Sequence, residues 1–443
     1  MSLRPARGYS RCSVVAFVDG VSIFLLSVNH DVFTFDLKSG QVRKLLHARS
    51  MPPRQRRTPS LPDELVEKVL TRLPPEDPAS LVRAALVCRR WRRLVSDAGF
   101  RRRFRLFHRT PPMLGIIYSR AAEVSTFVRT SSSCPPIADR DNFYVMDVRH
   151  GRVLLHRSPR DMRGPWQKAS VVWDPITDEQ RELPLLPVSW NRSPAWNASV
   201  LCANHGRCDH LDCNRGPFLV VLVVTTHDHI HVYTYSSEAG TWSKPVTGQN
   251  LVHQHIGWDW QPNSALVGNS LYVKFRYRKS LLKFNLVTQG VSVIHLPISW
   301  HYGDTILMAT EGDGLGVANV KNAKLYLWFG KASTDGGIRW ARSRVIGFNT
   351  LLPDNAYEKF HVAGFAHGAT IFVLRVNDDI FTFDLKSCKV SYICKDKGYV
   401  YDIFPFMSFY APVLGESSMD DESKVRNLEA LPDVGPGPGM TVQ

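Results

Sequence analysis

Five side chains able to bind a soft metal crowd into one short stretch of this 443-residue chain: Cys202, His205, Cys208, His210 and Cys213. Thiolate and imidazole together make the usual donor set for zinc. Five and four residues separate the cysteines, however, where zinc knuckles normally place two. The spacing therefore reads as a loop capping a hairpin, with no metal. His227, His229 and His231 alternate along an apolar run, so on a strand all three share one face. Three imidazoles on one face can hold a metal, but solvent-exposed strand histidines are the commoner outcome.

Nucleophilic and nucleotide chemistry find no residues to stand on. The sequence has no GxSxG, HExxH or GxxxxGK[ST] pattern. The GDGLG stretch from Gly312 lacks the third glycine and the following helix of a dinucleotide site. Acidic pairs such as Asp378–Asp379 fall in turns, where Asp is favoured for backbone reasons. The expectation is a non-enzyme without a cofactor.

Aromatic residues gather between the apolar runs: Trp190 and Trp196, then Trp258 and Trp260, then Trp300, His301 and Tyr302. Trp190 and Trp300 follow matching phrases, LPLLPVSW and IHLPISW, so a repeat would set them on one rim. Trp190, Trp258, Trp260, Trp300 and Tyr302 are thus candidate anchors for a protein target; plugging the junctions between repeats is the alternative.

The scaffold that must position these residues is foreshadowed by composition. With 28 Pro and 29 Gly, turns should be frequent, which suits many short strands. The longest apolar run, Phe218 to Val224, is far below the roughly 18 residues of a membrane span. Arg4, Arg7 and Arg11 precede an apolar stretch, as in a secretion signal, yet Asp19 interrupts it and similar sequence recurs near residue 362. Eight irregularly spaced cysteines read as reduced thiols, hence a cytoplasmic or nuclear protein. The net charge of +15 is concentrated: about 16 Lys/Arg face about 6 Asp/Glu between Arg49 and Arg109. A local cationic block implies a local partner, either an acidic protein surface or nucleic acid.

Residues 49–59 form a basic, Pro-rich linker, and helical signals follow over 60–109. Ser60 can cap, Pro62 suits an early helical position, and Asp63 and Glu64 sit where the helix dipole favours acids. Leu61, Leu65, Val66, Val69, Leu70 and Leu73 keep helical spacing until Pro74 and Pro75. A second start at Asp77 and Pro78 carries a helical pattern from Leu81 to Val95. So short a helical block buries its apolar faces poorly alone and needs a neighbour.

The stretch LPDELVEKVLTRLPPEDPASLVRAALVCRRWRRLVSDAGFRRRF closely resembles an F-box, with both Leu-Pro pairs and the VCRRWRRL core in register. That resemblance implies docking to the Skp-type adaptor of a Skp–cullin–F-box ubiquitin ligase, and through it to cullin. Carried over by motif position, the adaptor-facing residues are Leu61, Pro62, Leu65, Val69, Leu81, Val87, Cys88 and Trp91. The rival is nucleic-acid binding through the Arg-rich segment 83–109.

Residues 113–412 show strand, turn, strand units at intervals of about fifty residues, as in VVWDPITDEQRELPLLP, LLKFNLVTQGVSVIHLP and IFTFDLKSCKVSYIC. Such a repeat predicts a kelch-like β-propeller of about five to seven blades, with a series of β-sandwiches as the alternative. The phrases HRTPPMLGIIY, VWDPITDEQRELPLLP and CDHLDCNRGPF resemble the C-terminal domain of a large plant F-box family, particularly of grasses. In that family the domain is taken to hold the target protein. The expected fold class is α+β multidomain: a small all-α F-box, then an all-β propeller-like domain.

Residues 1–48 repeat the end of that region. From Val14, VVAFVDGVSIFLLSVNHDVFTFDLKSGQV matches the stretch from Val362 without gaps at about 17 of 29 positions, the mark of a duplication. The segment reads as a strand hairpin, either a fused remnant blade or a working extension of the propeller. The polar, Gly/Pro-ended residues 413–443 read as a disordered tail.

Overall fold

In the computed structural model, the described residues are 62–120, 124–132, 134, 136–157, 170–186, 195–204, 206–249, 264–275, 280–296, 305–310, 314–332, 338–348, 360–396 and 400–410, with the backbone of four more strands between 12 and 47. Four short helices come first: α1 (Asp63–Leu70), α2 (Pro78–Val87), α3 (Arg89–Ser96) and α4 (Ala98–His108). Pro62 occupies the N-cap of α1, with Asp63 and Glu64 in the first turn, and Pro78 opens α2. The helical pattern running on from Leu81 is broken at Cys88, whose extended backbone (φ −161°) separates α2 from α3. Asp97 caps α4, its carboxylate accepting the backbone N–H groups of Gly99 (2.5 Å) and Phe100 (3.1 Å). The buried faces of all four helices meet in one cluster that includes Val66, Leu70, Trp91, Val95, Phe100 and Phe104.

The strands build six antiparallel blades in a closed ring. Blades two to six are meanders that begin with Phe143–Arg149, Ala195–Cys202, Ser264–Val267, Thr305–Thr310 and Phe360–Ala366. The opening strands of blades two, four, five and six line the central cavity, and blade three reaches it through the loop after its opening strand. Blade one is made by both ends of the propeller: Val400–Met407 pairs with Met113–Arg120, which pairs with Val124–Arg129. Pro405 is tolerated in this closing strand because only one of its edges belongs to the ladder. The ring replaces the alternative of stacked sandwiches.

Blade three shows how the sequence specifies the packing. Phe218–Thr225 reads FLVVLVVT, apolar on both faces, because both faces are covered. Val220, Leu222 and Val224 pack with Leu154 and Val172 of blade two, whereas Val221 and Val223 pack with Leu271 and Val273 of blade four. Blade six meets the closing strand at glycine-only distance: a Cβ on Gly364 would lie 2.3 Å from the Ile403 carbonyl oxygen.

The N-terminal segment is a complete four-stranded sheet, Cys12–Val18, Ile23–Val28, Asp31–Asp36 and Val42–His47, two strands more than a hairpin. It copies blade six down to the irregularities. Its register shifts fall at Val14/Ala16 and Val32/Phe33, the counterparts of Val362/Gly364 and Ile380/Phe381. The duplicated span, Val14 to Val42, covers most of the first strand, the whole of the second and third and the first residue of the fourth. Ring closure by Val400–Met407 completes the six blades without it.

Candidate functional site

The helices present an apolar surface that their own core does not need. Pro62 is exposed, Leu65 is 43% exposed and Leu86 71% exposed, while Val69, Val87 and Cys88 are half-buried at the edge of the cluster. An Arg90–Asp63 ion pair joins the start of α3 to the start of α1, bringing the Leu86–Cys88 corner toward the end of α1 that carries Pro62 and Leu65. Leu61 lies outside the described residues. Two positions assigned to the adaptor face by motif position belong to the interior instead: Leu81 is 2% exposed and Trp91 5%. Their spacing explains the correction. Leu81, Ala84 and Ala85 form the inner stripe of α2, and Trp91 and Val95 that of α3. Leu86 falls off that stripe, which is the signal that could have singled it out. Leu106 and Phe107 of α4 are exposed as well.

Arginines of the 83–109 segment are extensively tied to acids. Arg83 pairs with Asp77 at 3.5 Å, Arg90 with Asp63, Arg103 with Glu67, and Arg105 with Asp212 of the propeller. Three of those acids belong to the 49–109 block itself and only Asp212 comes from outside it, so the block keeps most of its net positive charge. The Arg105–Asp212 pair and the Phe409 ring, 6.3 Å from Phe104, fasten the helices to the propeller.

The cavity of about 1260 Å³ inside the ring opens beside this junction. A buried polar hub links three opening strands. Arg149 donates to Asp147 (3.2 Å) and, through Nη2, to the Ser264 carbonyl (2.7 Å) and hydroxyl (2.8 Å). Asp147 accepts from the Val200 backbone (2.9 Å), and Ser199 meets Ser264 at 2.8 Å. Burial pushes the Asp147 carboxyl up, and the Arg149 charge pulls it back down. His367 lines the same cavity and lies deep in the protein. Burial, and then the nearby Arg149 charge, lower it to about 3, and its Nδ1 accepts from the Ala309 N–H at 3.4 Å.

At the rim of the cavity the loop between the first two strands of blade three gathers Cys202, Cys208, His210 and Cys213. One donor atom from each lies within 4.8 Å of every other. The sequence argument against a metal rested on spacing, and the fold removes that argument. Cys202 ends one strand, Cys213 opens a 3₁₀ turn, and antiparallel pairing of Cys202 with Phe218 brings these two fixed points together. The intervening loop needs no knuckle to supply two more donors. A hydrogen bond from the Cys213 thiol pulls Cys202 below the usual thiol range, and the same bond pushes Cys213 up. His205 lies outside the described residues. His229 and His231 share a face, with rings 6.0 Å apart, but His227 sits beyond the strand, bonded to Asp228 at 2.6 Å.

Trp190, Trp258, Trp260, Trp300 and Tyr302 lie outside the described residues. Trp196 is 8% exposed, its ring packed edge-on against His156 between blades two and three, so it fills a junction.

Comparison with known proteins agrees with this two-part architecture. The family model described as F-box protein AT5G49610-like, beta-propeller, matches residues 144–414, more than half of the chain. The chain belongs to that family. The F-box-like model matches residues 58–106, which makes the four helices of this F-box propeller protein its F-box region. No curated protein matches the chain. Solved structures similar to it include a functionally unknown protein from Desulfotomaculum acetoxidans (9% identity, 65% of this chain and 84% of that one, TM-score 0.35). Others are a nidogen/laminin complex (9%, 67% and 99%, TM-score 0.37) and apo AztD from Citrobacter koseri (8%, 66% and 88%, TM-score 0.33). At those scores the likeness carries no argument about this chain.

Proposed function

We propose that this protein is the substrate-recognition subunit of a Skp–cullin–F-box ubiquitin ligase, working in the cytoplasm or nucleus. The observation that carries the reading is the exposure of Leu65 and Leu86 on an F-box whose core closes without them. Exposed apolar anchors of this size are what a partner surface covers. Arginines around them suit an acidic adaptor. The chain performs no bond chemistry: the F-box holds the adaptor, the propeller holds the target, and transfer of ubiquitin is accelerated by raised effective concentration.

The target is assigned to the face of the propeller away from the F-box. Helices, the blade-three loop and Phe409 crowd the near face. Strand ends Glu182, Gln249 and His295, which precede the connections carrying Trp190, Trp258, Trp260, Trp300 and Tyr302, belong to the far one, because antiparallel meanders alternate ends.

Co-purification of the full chain with a Skp-type adaptor tests the reading. Leu65→Arg and Leu86→Arg should each weaken capture by about 30-fold, from the roughly 2 kcal/mol of a truncated anchor. The propeller should keep its circular dichroism. Equal capture by the double variant would refute it.

A further inference from the structure

We propose that Cys202, Cys208, His210 and Cys213 hold one structural zinc ion, and that this ion fixes the loop on which the F-box rests. Three arguments converge on it.

The donor set comes first. Three thiolates and an imidazole are soft to borderline ligands that favour Zn²⁺ and exclude Mg²⁺ and Ca²⁺. A Zn–S bond of about 2.3 Å implies tetrahedral edges of about 3.8 Å. The four donor atoms already lie within 4.8 Å of one another, and Cys213 Sγ is 3.5 Å from His210 Nδ1. Closing on an ion would take shifts of about an ångström or less per side chain.

The surroundings are the second. The His210 N–H donates to Cys208 Sγ at 3.4 Å, the kind of contact that a thiolate ligand accepts. His150 stacks on the His210 ring at 4.0 Å and orients it. Three thiolates and a divalent ion leave one negative charge, and the buried Arg152 guanidinium is at hand to neutralise it. Arg152 Nη2 donates to the carbonyl oxygens of Cys213 and Gly216, and its Nη1 is buried with no hydrogen-bond partner among the described residues.

The loop itself is the third. From Ala203 to Pro217 it has little apolar substance of its own beyond Leu211 and the cysteines, so hydrophobic packing cannot order it. It nevertheless carries Asp212 to Arg105 of α4. A cross-link at four points supplies the missing rigidity, as metal does in small domains without a core.

Elemental analysis of the full chain, purified under reducing conditions without chelator, should return about one zinc per molecule. Replacing it with cobalt should give the thiolate charge-transfer and tetrahedral d–d bands of a cysteine-rich site. On the same wild-type protein, chelation should speed tryptic cleavage at the exposed Arg207 and Arg215 by tenfold or more, with zinc restoring protection. The variant Cys208→Ser should lose most of the metal; Cys394→Ser in blade six should keep it. Background zinc in the wild type, with these thiols free to reagents or joined in a disulfide, would overturn the proposal. So would full zinc in a Cys208→Ser/Cys213→Ser double variant, which would place the metal elsewhere.

Discussion

Replacing Arg149 with methionine takes one charge out of the hub that joins blades two, three and four. Three interactions go with it: the bond to Asp147 at 3.2 Å and those to the Ser264 carbonyl and hydroxyl at 2.7 and 2.8 Å. Asp147, 4% exposed, is then a buried carboxylate facing no cation. Breaking such a pair from one side costs about 3–5 kcal/mol, because the desolvation of the remaining ion is no longer offset. Adding Asp147→Asn should recover about 2 kcal/mol or more. The amide removes the stranded charge and keeps an acceptor for the Val200 N–H. Urea unfolding of the three variants, followed by tryptophan fluorescence, reads these differences directly. The sign of the pH dependence is fixed too. Burial already holds the Asp147 carboxyl above its ordinary value and loss of Arg149 lifts it further, so the deficit of the single variant is full above the raised value and shrinks as pH falls through it. The reasoning fails if Arg149→Met stays within about 1 kcal/mol of wild type, or if the double variant is no better than the single one.

Other positions give sharper contrasts. Trp91→Ala should destabilise the F-box by about 3–5 kcal/mol, whereas Leu86→Arg should change its stability by less than about 0.5 kcal/mol; differential scanning calorimetry separates a core position from a docking one. Gly364→Ala should cost about 1–3 kcal/mol and lower the propeller's melting temperature, since its Cβ would press on the Ile403 carbonyl and no side chain can swing away. His367→Asn should flatten the acid limb of the stability curve. Wild-type His367 stays neutral down to about 3 while the unfolded chain takes up a proton near 6.5, so stability falls with pH between those values by up to about 1.4 kcal/mol per unit. Denaturation midpoints at pH 7 and pH 4.5 for both proteins check it; parallel losses would refute the assignment.

Much of the architecture is legible in the residues because it is local. Pro62, Pro74, Pro75 and Pro78 bracket the first helices, and turn-rich hairpin repeats announce a ring of similar sheets. What escaped was direction. Motif position says that Leu81, Leu65 and Trp91 are apolar, but only a three-dimensional stripe says which of them look inward. The metal-type cluster escaped for a related reason. Spacing rules describe ligands carried by one tight turn, whereas Cys202 and Cys213 are held together by strand pairing that no short window reveals. The polar hub was equally hidden, since Asp147, Arg149, Ser199 and Ser264 come from three separate blades and meet only when the ring closes.

Two sheets of one pattern in one polypeptide give a folding chain an ambiguous choice: either could, by pattern alone, seat itself beside the strand that seals the circle. One methyl group weighs on it. Where blade six has Gly364 the N-terminal copy has Ala16, at the same bulge. An alanine in that berth would collide with main chain that has nowhere to go. That contact favours the later copy in the position and disfavours the earlier one.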